Sequence, residues 1–253
     1  MTRPHLILLA CLLAAPALSR AEVPPDGAAR QAAAATEVDA LIQDGKARQT
    51  LPRLADPRNG PVLRRLWDTT TLGKPPYTAA DLRTLTVSID RQTRVLEAYS
   101  HYVPPPGTPP IPGGNDARFA DEMCQAAAFT LANATALLEA AYNVWQKSPG
   151  ETRAGPLAKL LPDVQRAVDL LVSAILDSLS SPGLTPANAA VLNQALERQG
   201  KAVAASMTLA NRAKLQQKAA AVARKAPAEA RTGLATLMAA LDSPTCEGFC
   251  AMK

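Results

Sequence analysis

Histidine is nearly missing from this chain of 253 residues, which carries only His5 and His101. That scarcity excludes several chemistries at once. There is no Cys-x-x-Cys-His for covalent haem, no His-Glu-x-x-His zinc helix and no Glu-x-x-His pair of the di-iron bundles. A glycine-rich phosphate loop is missing as well. Aromatic residues make up 4% of the chain, and none lies between Trp145 and Phe249, so the C-terminal third has no platform for stacking exposed bases. What is abundant is alanine, about a fifth of all residues within a hydrophobic share of 47%. Small side chains favour close helix packing over a sheet-rich core, which rules out an all-β protein. Periodic Leu, Val and Ile outside a few Pro-rich joints rule out a fully disordered one.

Residues 1–21 read as a secretory signal of bacterial type. Arg3 supplies the positive start, residues 6–18 the apolar run, and Ser19-Arg20-Ala21 the small residues at the −3 and −1 positions. Cleavage after Ala21 makes Glu22 the mature N-terminus. The apolar run, about 13 residues, is short for a membrane span. Leu8-Leu9-Ala10-Cys11 has the outline of a lipoprotein box, but Cys11 falls in the middle of the apolar region. The uncharged stretch at residues 123–138, after the signal, contains Gln125, Thr130, Asn133 and Thr135 and is shorter than the roughly 20 residues a span needs. The expectation is a periplasmic or secreted protein with no transmembrane span after cleavage. Residues 22–253 would then form a single helical domain ending in a Cys-containing tail.

Apolar spacing predicts the helices. Val38, Leu41 and Ile42 mark one over 27–47, and Leu63, Leu66 and Trp67 a short one over 61–68. Thr78 with Asp81 is an approximate capping box opening a helix to about Tyr102, with Leu82, Leu85, Ile89 and Leu96 on one face. Residues 104–114 hold six Pro and three Gly, a stiff connector in the middle of the chain. Asp116 is placed as the cap of a long helix through Phe119, Met123, Leu131, Leu138 and Trp145. Pro156 and Pro162 bracket the start of the next, whose stripe is Val164, Val168, Leu171, Ile175 and Leu179. Thr185 and Pro186 read as cap and first position of a long helix running through Leu192, Leu196, Val203, Met207, Ala210, Leu215 and Val222 to Pro227. A final helix over 227–241 presents Leu234, Leu237 and Met238. The predicted fold is all-α, an antiparallel bundle of about six helices.

No catalytic constellation emerges. Glu97 and His101 stand four apart on one helix face and read as a surface pair. Asp121-Glu122 has no cleft to separate an acid from a base, and Asn133-Ala-Thr135 matches a glycosylation pattern inside an apolar helix. Two features remain. The formal net charge is +5, falling to +3 once Arg3 and Arg20 leave with the signal. Between Arg198 and Arg231 stand eight bases against the single acid Glu229, a charge of +7, so the rest of the mature chain is −4. Lys214, Lys218 and Lys225 fall on one helical face, and with Lys201, Arg212 and Arg224 they form the predicted anion-binding set. The partner expected is an anionic envelope component or an acidic protein surface, with no strong nucleic-acid signal.

The second feature is sulfur. Cys124, Cys246 and Cys250 are odd in number in an oxidising compartment, predicting one disulfide and one free thiol. Either Cys124 bridges to the tail, closing a large loop, or Cys246 pairs with Cys250. Used as ligands, Cys124, Cys246, Cys250 and Met252, with Met123 nearby, would make a soft set suited to Cu(I). The reading is therefore an exported envelope binding or scaffold protein without catalysis or cofactor. The alternative is a thiol-redox or copper-handling protein built on Cys-x3-Cys.

Overall fold

In the computed structural model, residues 25–149, 156–245 and 250 are described. The predicted signal, Cys246 and Met252 lie outside the described residues. The helices are α1 (Pro25–Ala47), α2 (Gly60–Leu66), α3 (Ala79–Ser100), α4 (Gly114–Arg118), α5 (Ala120–Lys147), α6 (Pro156–Leu179), α7 (Pro186–Ser206), α8 (Leu209–Ala223) and α9 (Arg231–Leu241). Short 3-10 turns cover Thr69–Leu72 and Ala228–Ala230. No strand occurs among the described residues, so the chain is all-α, as its composition predicts.

The local start signals operate as read. The Asp81 carboxylate accepts from the Thr78 backbone amide at 2.7 Å and from its hydroxyl at 2.9 Å. Thr185 accepts from the Asn188 amide at 3.2 Å, with Pro186 at the first helical position. Three expectations need correction. The helix predicted from Thr185 to Pro227 is two helices, because Met207 and Thr208 are extended and the Thr208 hydroxyl caps α8 through the Asn211 amide at 3.2 Å. Asp116 does not cap α5; it lies in the first turn of α4, and Phe119 occupies the junction. Pro162 is inside α6 and does not bracket its start.

The centre of the molecule is α5. Residues Leu131, Ala132, Asn133, Ala134, Thr135, Ala136, Leu137 and Leu138 are all buried, so the helix has no wet side there. It packs against α3 on one flank and against α6 and α7 on the other; α9 lies on α7 and α8, and α1 on α2 and α3. Alanine makes this possible, since helices approach closely only where side chains are small. The crossing of α7 and α9 is a close one, where a Cβ on Gly233 would lie 2.2 Å from the Asn193 carbonyl oxygen.

The buried face of α3 differs from the predicted one. Leu82 and Leu85 are buried, but Ile89 and Leu96 are only half-buried, and the stripe continues through Ser88, Gln92, Val95 and Tyr99. Its polar members are satisfied from other elements, as buried polar groups must be. Gln31 of α1 donates to the Ser88 hydroxyl at 2.5 Å, and Trp67 Nε1 donates to Gln92 Oε1 at 2.9 Å. With its amide turned so that the nitrogen faces the Leu85 carbonyl, Asn133 of α5 donates to that carbonyl and accepts from Ser88 Oγ and the Ile89 amide. The glycosylation-like pattern is thus core packing.

Candidate functional site: a basic face, a sulfur pair and a polar pocket

The 15 residues of α8 contain no acid, so its basic side chains must find partners elsewhere or face solvent. Arg212 takes the first course. It is 3% exposed, and its Nε donates to the Ala204 carbonyl at 2.7 Å while Nη1 donates to those of Ser243 and Thr245 at 3.2 and 2.8 Å. Burial lowers its pKa from the usual value. Arg212 therefore clamps the end of α7 to the segment after α9, and its place in the predicted anion-binding set is corrected on that ground. Lys218 is also engaged, its ammonium 2.7 Å from Asp177 and 2.6 Å from the Ser173 hydroxyl, both on α6.

Lys201, Lys214, Arg224 and Lys225 are exposed. Among the described residues their side chains make no ion pair or hydrogen bond. The predicted anion-binding set is thus reduced to these four, and of the Lys214, Lys218 and Lys225 stripe Lys225 lies past the end of α8, which stops at Ala223. The sequence shows the type of each basic residue, whereas the face each one takes depends on how α8 lies over α6 and α9.

The sulfur atoms divide differently from one of the two expectations. Cys124 is a buried free thiol, so the large loop from Cys124 to the tail is not closed. Burial, with a smaller contribution from Asp121, pushes its pKa up to about 11. Cys250 is disulfide-bonded, and its partner lies outside the described residues. No group of three or more His, Cys, Asp or Glu that could hold a metal occurs among the described residues.

The paired carboxylates separate. Asp121 accepts from Asn188 Nδ2 at 2.8 Å, while the buried Glu122 accepts from the Leu54 amide at 2.6 Å and faces Arg53 Nε at 3.4 Å. Both are tied to structural partners on different elements. Glu97 and His101 are exposed and line an open groove of about 530 Å³ between α1 and α3 with Asp39, Lys46 and Arg94.

A smaller cavity, about 210 Å³, was not foreseen. Gln125, Ala128, Phe129 and Ala132 of α5 form one wall, Gln194, Arg198 and Gln199 of α7 another, and Trp67-Asp68-Thr69 closes one end. Each helix contributes at intervals of three and four, so both walls are single faces. The available signal was polar spacing on α7, but nothing in it showed that α5 and the Trp67 turn would lie opposite.

Comparison with protein-family models, with curated proteins and with solved structures gives no match.

Proposed function

We propose that this is an exported, non-catalytic helical-bundle protein of the envelope, a binding or scaffold module whose α8 surface meets an anionic partner. The supporting observation is the outer basic set: Lys201, Lys214, Arg224 and Lys225 are exposed and make no ion pair or hydrogen bond among the described residues. Lys214 on the acid-free α8, Arg224 and Lys225 just past its end and Lys201 on the preceding α7 keep their charges in solvent, where cations attract phosphate-bearing surfaces. The finer features belong to the same reading: removal of residues 1–21, periplasmic or secreted placement, a single domain over 22–253 with its helices antiparallel, and a Cys246–Cys250 bridge. No helix among the described residues is long and apolar enough to cross a membrane, which fits a partner met at the surface.

The thiol-redox or copper-handling alternative draws less from the molecule. A Cys124 thiol whose pKa is raised by burial is protonated at neutral pH and a poor Cu(I) ligand. Cys250, already bonded to another sulfur, offers no thiolate.

The test is co-sedimentation with anionic phospholipid vesicles and with lipopolysaccharide over a salt series. Replacing Lys201, Lys214, Arg224 and Lys225 by Gln should weaken binding about tenfold or more and flatten its salt dependence, since each cation near an anionic surface contributes about 1 kcal/mol. Wild-type protein that ignores both surfaces at low salt overturns the proposal.

A further inference from the structure

We propose that the cavity between α5, α7 and the Trp67 turn is a binding site for a small zwitterion of amino-acid size. Its volume of about 210 Å³ lies below the range of drug-sized pockets, which points to a small solute.

The pocket carries one full charge of each sign. Among the described residues the Arg198 guanidinium has no hydrogen bond or ion pair, and Asp68 uses only Oδ1, accepting from the Thr70 amide at 2.9 Å. Asp68 Oδ2 is left for a ligand. Arg198 offers the planar fork that suits a carboxylate, and Asp68 an acceptor for an ammonium group.

The other lining groups are held in place by bonds pointing away from the cavity. The Thr135 hydroxyl contacts Gln199 Oε1 at 2.9 Å, which leaves the Gln199 amide nitrogen as a donor. Trp67 is fixed by its Nε1 bond to Gln92 at 2.9 Å and, with Ala128 and Ala132, gives an apolar surface backed by the buried Phe129 ring. Such bonds behind the lining reduce the ordering cost of binding. Gln125 and Gln194 add amides that can both donate and accept.

A neutral sugar would cover Arg198 and Asp68 without supplying counter-charges, which costs free energy. A phosphate ester would meet Asp68 with like charge. The arrangement therefore selects a molecule that brings a carboxylate and an ammonium together.

The experiment is isothermal titration of the full chain with each of the twenty common amino acids, with glucose as the uncharged control. At least one amino acid should bind with a Kd of about 1 mM or tighter, and glucose should not. Arg198→Gln and Asp68→Asn should each weaken binding by about 10- to 100-fold, the size of a hydrogen bond to a charged group. Asn is as good a helix cap as Asp, so Asp68→Asn preserves the local turn, and circular dichroism checks the fold of both variants. Silence from every amino acid at about 10 mM, glucose binding as tightly as the best amino acid, or full affinity in Arg198→Gln each overturns the proposal. Arg198 is outside the cation set tested on vesicles, so the two readings fail separately.

Discussion

Arg212 and Thr245, 33 residues apart, are joined by a 2.8 Å bond from the guanidinium Nη1 to the backbone carbonyl. With the bonds to Ala204 and Ser243, it makes one buried cation the fastener between the end of α7, α8 and the chain after α9. A buried charge without a carboxylate is tolerable only because neutral carbonyl dipoles take its hydrogens.

Arg212→Gln should therefore lower stability by about 2–4 kcal/mol, through lost charge-assisted bonds and carbonyls left without donors. Arg212→Lys should recover little of this, because an ammonium cannot reproduce the fork that reaches carbonyls on two segments. Urea unfolding midpoints, compared at equal slope, give the measurement. A midpoint unchanged in Arg212→Gln would show that the clamp adds nothing.

Gly233→Ala gives a case in which helix propensity predicts the wrong sign. Alanine is favoured over glycine by about 1 kcal/mol in a helix interior, yet the new methyl would sit 2.2 Å from the Asn193 carbonyl oxygen. The Gly233 amide also donates to Asn193 Oδ1 at 2.5 Å, so α9 cannot back away without breaking that bond. The expected outcome is a net loss of about 1–3 kcal/mol, seen as a lower Tm. A rise in Tm would mean that the α7–α9 crossing relaxes freely.

Stability should fall on the alkaline side. Burial pushes Cys124 from 9.0 up to about 11 and Tyr77 from 10.0 up to about 12, and it raises Tyr99 as well. Below about pH 8 these groups are protonated whether the chain is folded or not, and their contribution is complete. As pH rises through about 8 to 12 the unfolded chain ionises first, so the folded state loses its advantage. Urea midpoints should decline from about pH 8 to about pH 11, and Cys124→Ala should remove the earliest part of the decline. A level profile over that interval would contradict the burial of these groups.

What the sequence reveals of the fold is what local chemistry decides. Thr78 with Asp81 and Thr185 with Pro186 are caps whose partners lie within three residues, and both form as read. The break at Met207–Thr208 was hidden because the apolar positions continue through it from Val203 to Leu215, with no Gly or Pro to mark the turn. Ser88 and Gln92 do not read as core from the sequence, because a polar residue is buried only when a partner reaches it. Those partners, Gln31, Trp67 and Asn133, come from other elements. The same reason applies to Arg212, a basic residue on a predicted basic face whose acceptors are 8, 31 and 33 residues away. The pocket around Arg198 joins three segments, and no single segment announces it.

The enclosed middle of α5 bears on tolerance to change. Most helices have a side on which a substitution can reach into water, so the permitted side chains alternate with the turn of the helix. Residues 131–138 lack that side, and their rule is one of volume: small residues and leucines of fixed size, with Asn133 and Thr135 held to their bonds. In that stretch the size of each residue, and not its position around the helix, sets what can replace it.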